Sequence, residues 1–327
     1  MNRRILLGIL LIVLVMSLVT CDNGSTNGLG NNVTWNAVKD STFGGDDISN
    51  VIWGNNKFVA VGGYGKIAYS TDGIIWTAET NTTFSSNDPN GIRGIVWGNN
   101  RFVAVSFDHI AYSSDGIIWT NAGNPFGNYV LINGIAWCNN KFVTFCNSNV
   151  AYSTDGENWT IIEYINSISH IAWGNSKYVC VGGSGGNGEM AYSTDGFSWI
   201  PIIDNKLSNE PIYGIACGNN KFVAVTPNRL AYSEDGITWV AVSNTTFSGN
   251  AINNITWGNN KFIIVGGRYD NNGVGYSKAA YSANGVTWIP ITNTTFGNNL
   301  INDITWGNNR FVAVGTNGKM AYWDGND

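Results

Sequence analysis

Six acidic residues (Asp88, Asp108, Glu189, Glu210, Asp270 and Asp303) and three arginines (Arg93, Arg229 and Arg268) are the charged groups of this sequence best placed to do chemistry. Two carboxylates at a set separation would suit glycoside hydrolysis, one protonating the leaving oxygen and the other acting as base or nucleophile. Three guanidinium groups converging on one point would hold a carboxylate. No pair of acids is marked by its spacing, and solvated loop carboxylates are the commoner explanation. His109 and His170 are the only histidines. There is no HExxH, CxxC or EF-hand spacing, no phosphate loop and no nucleophile elbow. Asp270-Asn271-Asn272-Gly273 reads as a turn. The sequence assigns no catalytic residue, no metal and no cofactor.

A repeat positions these groups. "AYSTDGIIWT" at Ala68 returns with small changes at Ala111, Ala151, Ala191, Ala231 and Ala280. A second phrase, "WGNNKFVAV" at Trp53, returns at Trp97, Trp137, Trp173, Cys217, Trp257 and Trp306, at spacings of 44, 40, 36, 44, 40 and 49 residues. Seven units near 40 residues, each with four short apolar runs, predict an all-β seven-bladed β-propeller of four-stranded antiparallel blades over residues 33–327. Strand a is ISNVIW-like, b is KFVAV, c is KIAYS and d is WTAET. Unit seven stops after strand c, while Thr34-Trp35-Asn36-Ala37-Val38 matches strand d. The last blade is therefore expected to be closed by the N-terminal strand, which protects unpaired edges.

The turns account for the phrases. Asn tolerates positive φ, so Gly54-Asn55-Asn56-Lys57 suits a tight a–b hairpin. In Ser70-Thr71-Asp72-Gly73 the hydroxyl and carboxylate can accept backbone N–H groups, Gly73 takes the conformation others resist, and Trp76 buries its ring between sheets. These residues resemble the Asp-box (BNR-like) repeat propellers, whose motif is one residue longer than the Ser-x-Asp-Gly-x-x-Trp found here. The box recurs at Ser113/Asp115, Ser153/Asp155, Ser193/Asp195 and Ser233/Asp235, with Asn284 replacing Asp in unit six. That resemblance implies architecture, since the box occurs on enzymes and non-enzymes alike. Sialidases, the enzymatic relatives, use an arginine triad, but none of Arg93, Arg229 and Arg268 lies in their Arg-Ile-Pro motif.

Composition sets the class. Charged residues are 12% and aromatics 13%, with 14 Trp, the opposite of a disordered chain. Residues 1–20, with Arg3, Arg4 and an apolar run from Ile5 to Val15, read as a secretory signal peptide. Leu18-Val19-Thr20-Cys21 resembles the bacterial lipobox, which implies lipidation of Cys21 and leaves the stretch through residue 32 as a flexible tether. The expected address is the bacterial cell envelope, lipid-anchored and either periplasmic or surface-exposed. Losing the signal removes two of 17 basic residues and none of 22 acids, taking the net charge from −5 to −7. Nucleic acid is an unsuitable partner. Cys138, Cys146, Cys180 and Cys217 read as substitutions within the repeat and are expected to be mostly free and buried.

The a–b and c–d turns share one face of the disc and barely vary; the b–c and d–a loops share the other and vary in length and content. Function is expected on the variable face. Aligned strand a starts bring Arg93, His170, Tyr213 and Asp303 to the channel mouth there, with Arg229, Arg268 and Tyr269 leaning in from b–c loops. The NTTF segments at Asn81, Asn244 and Asn293, with DSTF at Asp40, are expected to pack Phe between blades; stacking on a sugar is the alternative. The reading is a monomeric, non-enzymatic envelope propeller that binds a protein or glycan, similar to Asp-box propellers that act as photosystem assembly factors. A carbohydrate-active hydrolase or lyase is the alternative.

Overall fold

The computed structural model describes residues 33–80, 83, 84, 87, 88, 91–127, 130–146, 149–163, 167–184, 186–243, 247 and 252–325. The expected signal peptide, Cys21 and the tether lie outside these residues, as do Asn81 and Asn244. The described strands form seven antiparallel sheets of four. Blade 1 comprises strands a (Ile48–Gly54), b (Lys57–Gly62), c (Ile67–Ser70) and d (Thr77–Glu79). Strand a of blades 2 to 7 spans Ile92–Gly98, Gly134–Cys138, Ile168–Gly174, Gly214–Gly218, Ile252–Gly258 and Ile301–Gly307. The fold is a seven-bladed all-β propeller.

Strand b explains the ring. Side chains alternate across a strand, and KFVAV is apolar at nearly every position because both of its faces are covered. Phe58 and Ala60 pack with Val312, Val314 and Met320 of blade 7. Val59 and Val61 pack with Ile92, Phe102 and Ala104 of blade 2. The core is thus a set of interblade layers. Phe43, Phe84, Phe247 and Phe296, from the DSTF and NTTF segments, are buried in these layers. Burial rules out the sugar-stacking alternative for them.

Closure follows the expected route. Asn36–Ala37 pairs antiparallel with Met320–Trp323, strand c of blade 7, in the register Asn36↔Tyr322 and Ala37↔Ala321. Val33 and Trp35 sit in the core beside Ile263, Phe311 and Trp323.

The turn face is stapled. Asn55 and Asn56 adopt φ of 45° and 55°, and the equivalent pairs in the other six blades match them. Asn55 Nδ2 donates to the Ser114 carbonyl at 3.1 Å and Lys57 Nζ to the Asp115 carbonyl at 2.8 Å, so each grips the next blade's c–d turn. In that turn Ser70 Oγ accepts from the Gly73 N–H at 2.8 Å, and Asp72 Oδ1 accepts from the Ile74 and Ile75 N–H groups. Asn284 makes the same bonds in blade 6. Trp76 donates its indole N–H to the Gly73 carbonyl. Desolvation opposes ionisation of Asp72, Asp115 and Asp235, yet the hydrogen bonds outweigh it and hold these carboxyls below their ordinary range, Asp235 at about 2.

Glycine at the end of strand a has a steric cause. A Cβ on Gly98 would lie 2.0 Å from the Trp137 ring, and one on Gly218 2.0 Å from Trp257. Each indole lies on the preceding blade's glycine. Blade 3 carries Cys138 instead of that glycine, and blade 5 carries Cys217 instead of the indole. Both departures flank the single indole of Trp173. Beside it a cavity of about 530 Å³ is lined by Trp137, Cys138, Trp173 and Cys217. All four described cysteines are free; three are buried, and Cys217 is half-buried.

Candidate ligand-binding face

The seven strands a surround an axial cavity of about 460 Å³ whose lining includes Asn50, Arg93, Asn133, His170, Asn254 and Asp303. In five blades the a–b register slips at one place, between Ile48 and Asn50, Ile92 and Gly94, Ile168 and His170, Ile252 and Asn254, and Ile301 and Asp303. Such a bulge re-aims the extra side chain. Arg93 is the extra residue in blade 2.

Polar groups beside the bulges bridge blades. Asn50 Oδ1 accepts from the Ile95 N–H of blade 2 at 3.2 Å. Asp303 Oδ2 accepts from the Val51 N–H of blade 1 at 2.8 Å, and its Oδ1 accepts from the Asn254 amide of blade 6. Asp303 therefore ties the seam between the last and first blades, and it is only 4% exposed. Burial lifts its pKa to about 6 even though three donors favour the charged form. His170 occupies the same position in blade 4. Burial pushes its pKa down to about 4, and Nδ1 has no hydrogen-bond partner.

The sequence-selected residues divide. Arg93, His170 and Asp303 line the axial cavity, whereas Tyr213, Arg229, Arg268 and Tyr269 do not. The three arginines therefore do not converge on one point in the cavity. Tyr213 stands at the entry to strand a of blade 5, exposed. Arg229 follows the b–c turn of blade 5, where Glu210 accepts from Thr226 Oγ1 at 2.6 Å and from Asn228. Arg268 and Tyr269 lie on a long b–c hairpin of blade 6, Lys261–Tyr269 with Gly275–Ser282. Tyr269 donates to Thr316 Oγ1 at 3.3 Å.

One cluster imitates a hydrolytic triad. His109 Nδ1 is 2.7 Å from Asp108 Oδ1 and 3.2 Å from Ser106 Oγ. Its Nε2 lies 2.8 Å from the Thr83 carbonyl oxygen. A carbonyl only accepts, so Nε2 donates there. Ser and Asp then approach the same ring nitrogen, whereas a triad needs them on opposite ones. The cluster is a strap between the d–a and b–c loops.

No family model matches the chain, and no curated protein sequence matches it. Its fold is shared. YCF48 bound to a D1 peptide matches with a TM-score of 0.68 at 15% identity, over 88% of this chain and 94% of that one. YCF48 from Cyanidioschyzon merolae matches with 0.64 at 14%, over 88% and 98%. A catalytically inactive virginiamycin B lyase from Staphylococcus aureus with quinupristin matches with 0.68 at 12%, over 89% and 98%. At these identities the likeness is one of fold.

Surface chemistry separates the two faces. Among the described residues, the exposed aromatic side chains are Tyr64, Phe107, Tyr213, Tyr269, Tyr276 and Phe197, and all but Phe197 stand on the variable-loop face. Exposed aliphatic residues are spread over the molecule, with Ile75 and Ile118 at c–d turns, Ile200, Val240 and Ile289 on outer strands, and Ile203 on the d–a loop of blade 4. Arg101 and Arg310 are ion-paired and also donate to turn carbonyls. Arg93, Arg229 and Arg268 have no carboxylate at ion-pair distance among the described residues.

Sequence reasoning missed Tyr64, Phe107 and Tyr276. Tyr64 left a signal: it sits between two glycines in a b–c connection where blade 7 places Asn317, a residue suited to positive φ.

Proposed function

We propose that this chain is a non-catalytic binding propeller of the Asp-box type, exported by residues 1–20 and lipid-anchored through Cys21 to a bacterial envelope. Its variable-loop face takes a protein partner by a peptide segment. The observation that carries this reading is the gathering of exposed aromatics and unpaired arginines on one face, since Tyr and Arg are the usual anchors of protein interfaces. A propeller of the same fold bound to a peptide adds support. Neither histidine is free to act as a base, because His109 is strapped and His170 is buried, and of the loop carboxylates Glu210 and Asp303 already accept hydrogen bonds from neighbouring groups.

Panning residues 33–327 against a displayed library of random peptides should yield binders. Replacing Tyr213, Tyr269 and Tyr276 together with Ala should weaken those binders at least tenfold. Asp155→Ala and Ile118→Ala, on the turn face, should leave affinity unchanged. An empty library, or loss through the turn-face variants instead, would refute the reading. For the anchor, Cys21→Ala should move the protein from the membrane to the soluble fraction; continued membrane partition would remove lipid from the proposal.

A further inference from the structure

The junction of blades 1 and 2 concentrates three unusual residues. Arg93 is half-buried at the axial cavity, and none of its five N–H donors is hydrogen-bonded among the described residues. Its guanidinium lies 5.6 Å from the centroid of the exposed Phe107 ring. Phe107 is held in place: its carbonyl accepts from Ile132 N–H, and the next two residues form the Asp108–His109 strap. In blade 1 Tyr64 belongs to the short turn Gly63–Gly65, which packs against the strand carrying Arg93. Tyr64 is 43% exposed yet held at φ 57°, ψ 27°. A bulky residue in the left-handed region is a strained outlier. Asn317 occupies the same turn of blade 7 at φ 54°, ψ 37°, the residue that backbone conformation prefers.

Resting on the reading that the variable-loop face binds peptide, we propose that Tyr64, Arg93 and Phe107 form a subsite for one carboxylate of the bound chain. A guanidinium with free donors matches a carboxylate's two oxygens. The Phe107 ring beside the guanidinium offers apolar surface to the neighbouring methylenes, and Tyr64, on the turn packed against the Arg93 strand, would border the bound group. One positive charge fits a singly charged group; Lys66, in the same blade as Tyr64, is paired with Asp46. Asp303 lines the same cavity, but both its oxygens already accept hydrogen bonds from neighbouring blades.

The test uses residues 33–327, which contain five arginines, so the Nε–Hε resonances are assignable by substitution. The probes are acetyl-Ala-Glu-Ala-amide, its Gln twin, and acetyl-Ala-Ala as free acid and as amide. The first pair reports a side-chain carboxylate and the second a chain terminus. At least one acid should shift the Arg93 resonance saturably, with its neutral twin at least tenfold weaker and Arg101 and Arg310 unmoved. Arg93→Gln should abolish the binding. Tyr64→Asn should relieve the strained backbone, raising Tm by about 2 °C, while weakening the acid probe at least fivefold.

Equal binding by acid and neutral probes, no shift, or a shift confined to Arg229 and Arg268 would overturn the subsite. An affinity unchanged in Tyr64→Asn would remove Tyr64 from it. Failure of this subsite alone remains distinct from failure of the binding face. Library peptides would then still lose affinity through Tyr213, Tyr269 and Tyr276, but would tolerate Glu→Gln exchange.

Discussion

Trp35→Ala should destabilise the protein by about 3–5 kcal/mol, the scale for emptying a large buried aromatic site. Trp35 is 2% exposed and packs among Ile263, Val265, Tyr281, Phe311 and Trp323. Its strand is the only one of the last blade drawn from the start of the chain. Two ladder positions and the Val38 N–H to Met320 carbonyl bond, at 3.0 Å, hold that strand in place. Among the described residues no disulfide ties this strand to strand c of blade 7, so weakening it exposes the outer edge of that blade. Removing residues 33–38 altogether should lower the melting temperature further. Denaturant unfolding of both proteins, with Trp239→Ala as the equivalent lesion in an intact blade, measures the effect. A melt of the deleted chain that coincides with the parent's would show that the seam is held by something else.

His170 and Asp303 should give the protein two opposed pH dependences that nearly cancel. Folded Asp303 titrates at about 6 and not at 3.8, because burial penalises its charge. The folded chain therefore takes up this proton before the unfolded chain does, and stability grows as pH falls from about 6 towards 3.8. Folded His170 titrates at about 4 and not at 6.5, again through burial. Here the unfolded chain protonates first, and stability is lost as pH falls from 6.5 towards 4.

Between roughly pH 7 and pH 4.5 each contribution amounts to about 2 kcal/mol, with opposite signs. Relative to the parent, His170→Gln should gain stability on acidification and Asp303→Asn should lose it. Urea unfolding at both pH values separates them. If both variants keep the parent's pH slope, the two side chains do not titrate as their burial requires.

The repeat made most of the architecture legible. Positive φ at Asn55 and Asn56, acceptor geometry at Ser70 and Asp72, and the alternation of KFVAV are properties of neighbouring residues, so they can be read from a short stretch of chain. Closure was legible for the same reason, since Thr34–Val38 repeats a local pattern found in other blades.

Tertiary structure decided the site. Asp303 and Arg93 look alike in sequence, as charged residues at the start of strand a. Yet the Val51 N–H of blade 1 and the Asn254 amide of blade 6 occupy Asp303, while the bulge turns Arg93 to the cavity with no hydrogen-bond partner among the described residues. Arg93 and Phe107 meet because strand a and the b–c connection of blade 2 fold together, and the turn carrying Tyr64 is added beside them only because blades 1 and 2 pack together. Cys138 and Cys217 are far apart in sequence, and the fold brings both beside Trp173. Local patterns specify backbone geometry through short-range hydrogen bonds and sterics. Whether a polar side chain is solvated, bridging or free depends on what the next blade presents to it, about forty residues further along the chain.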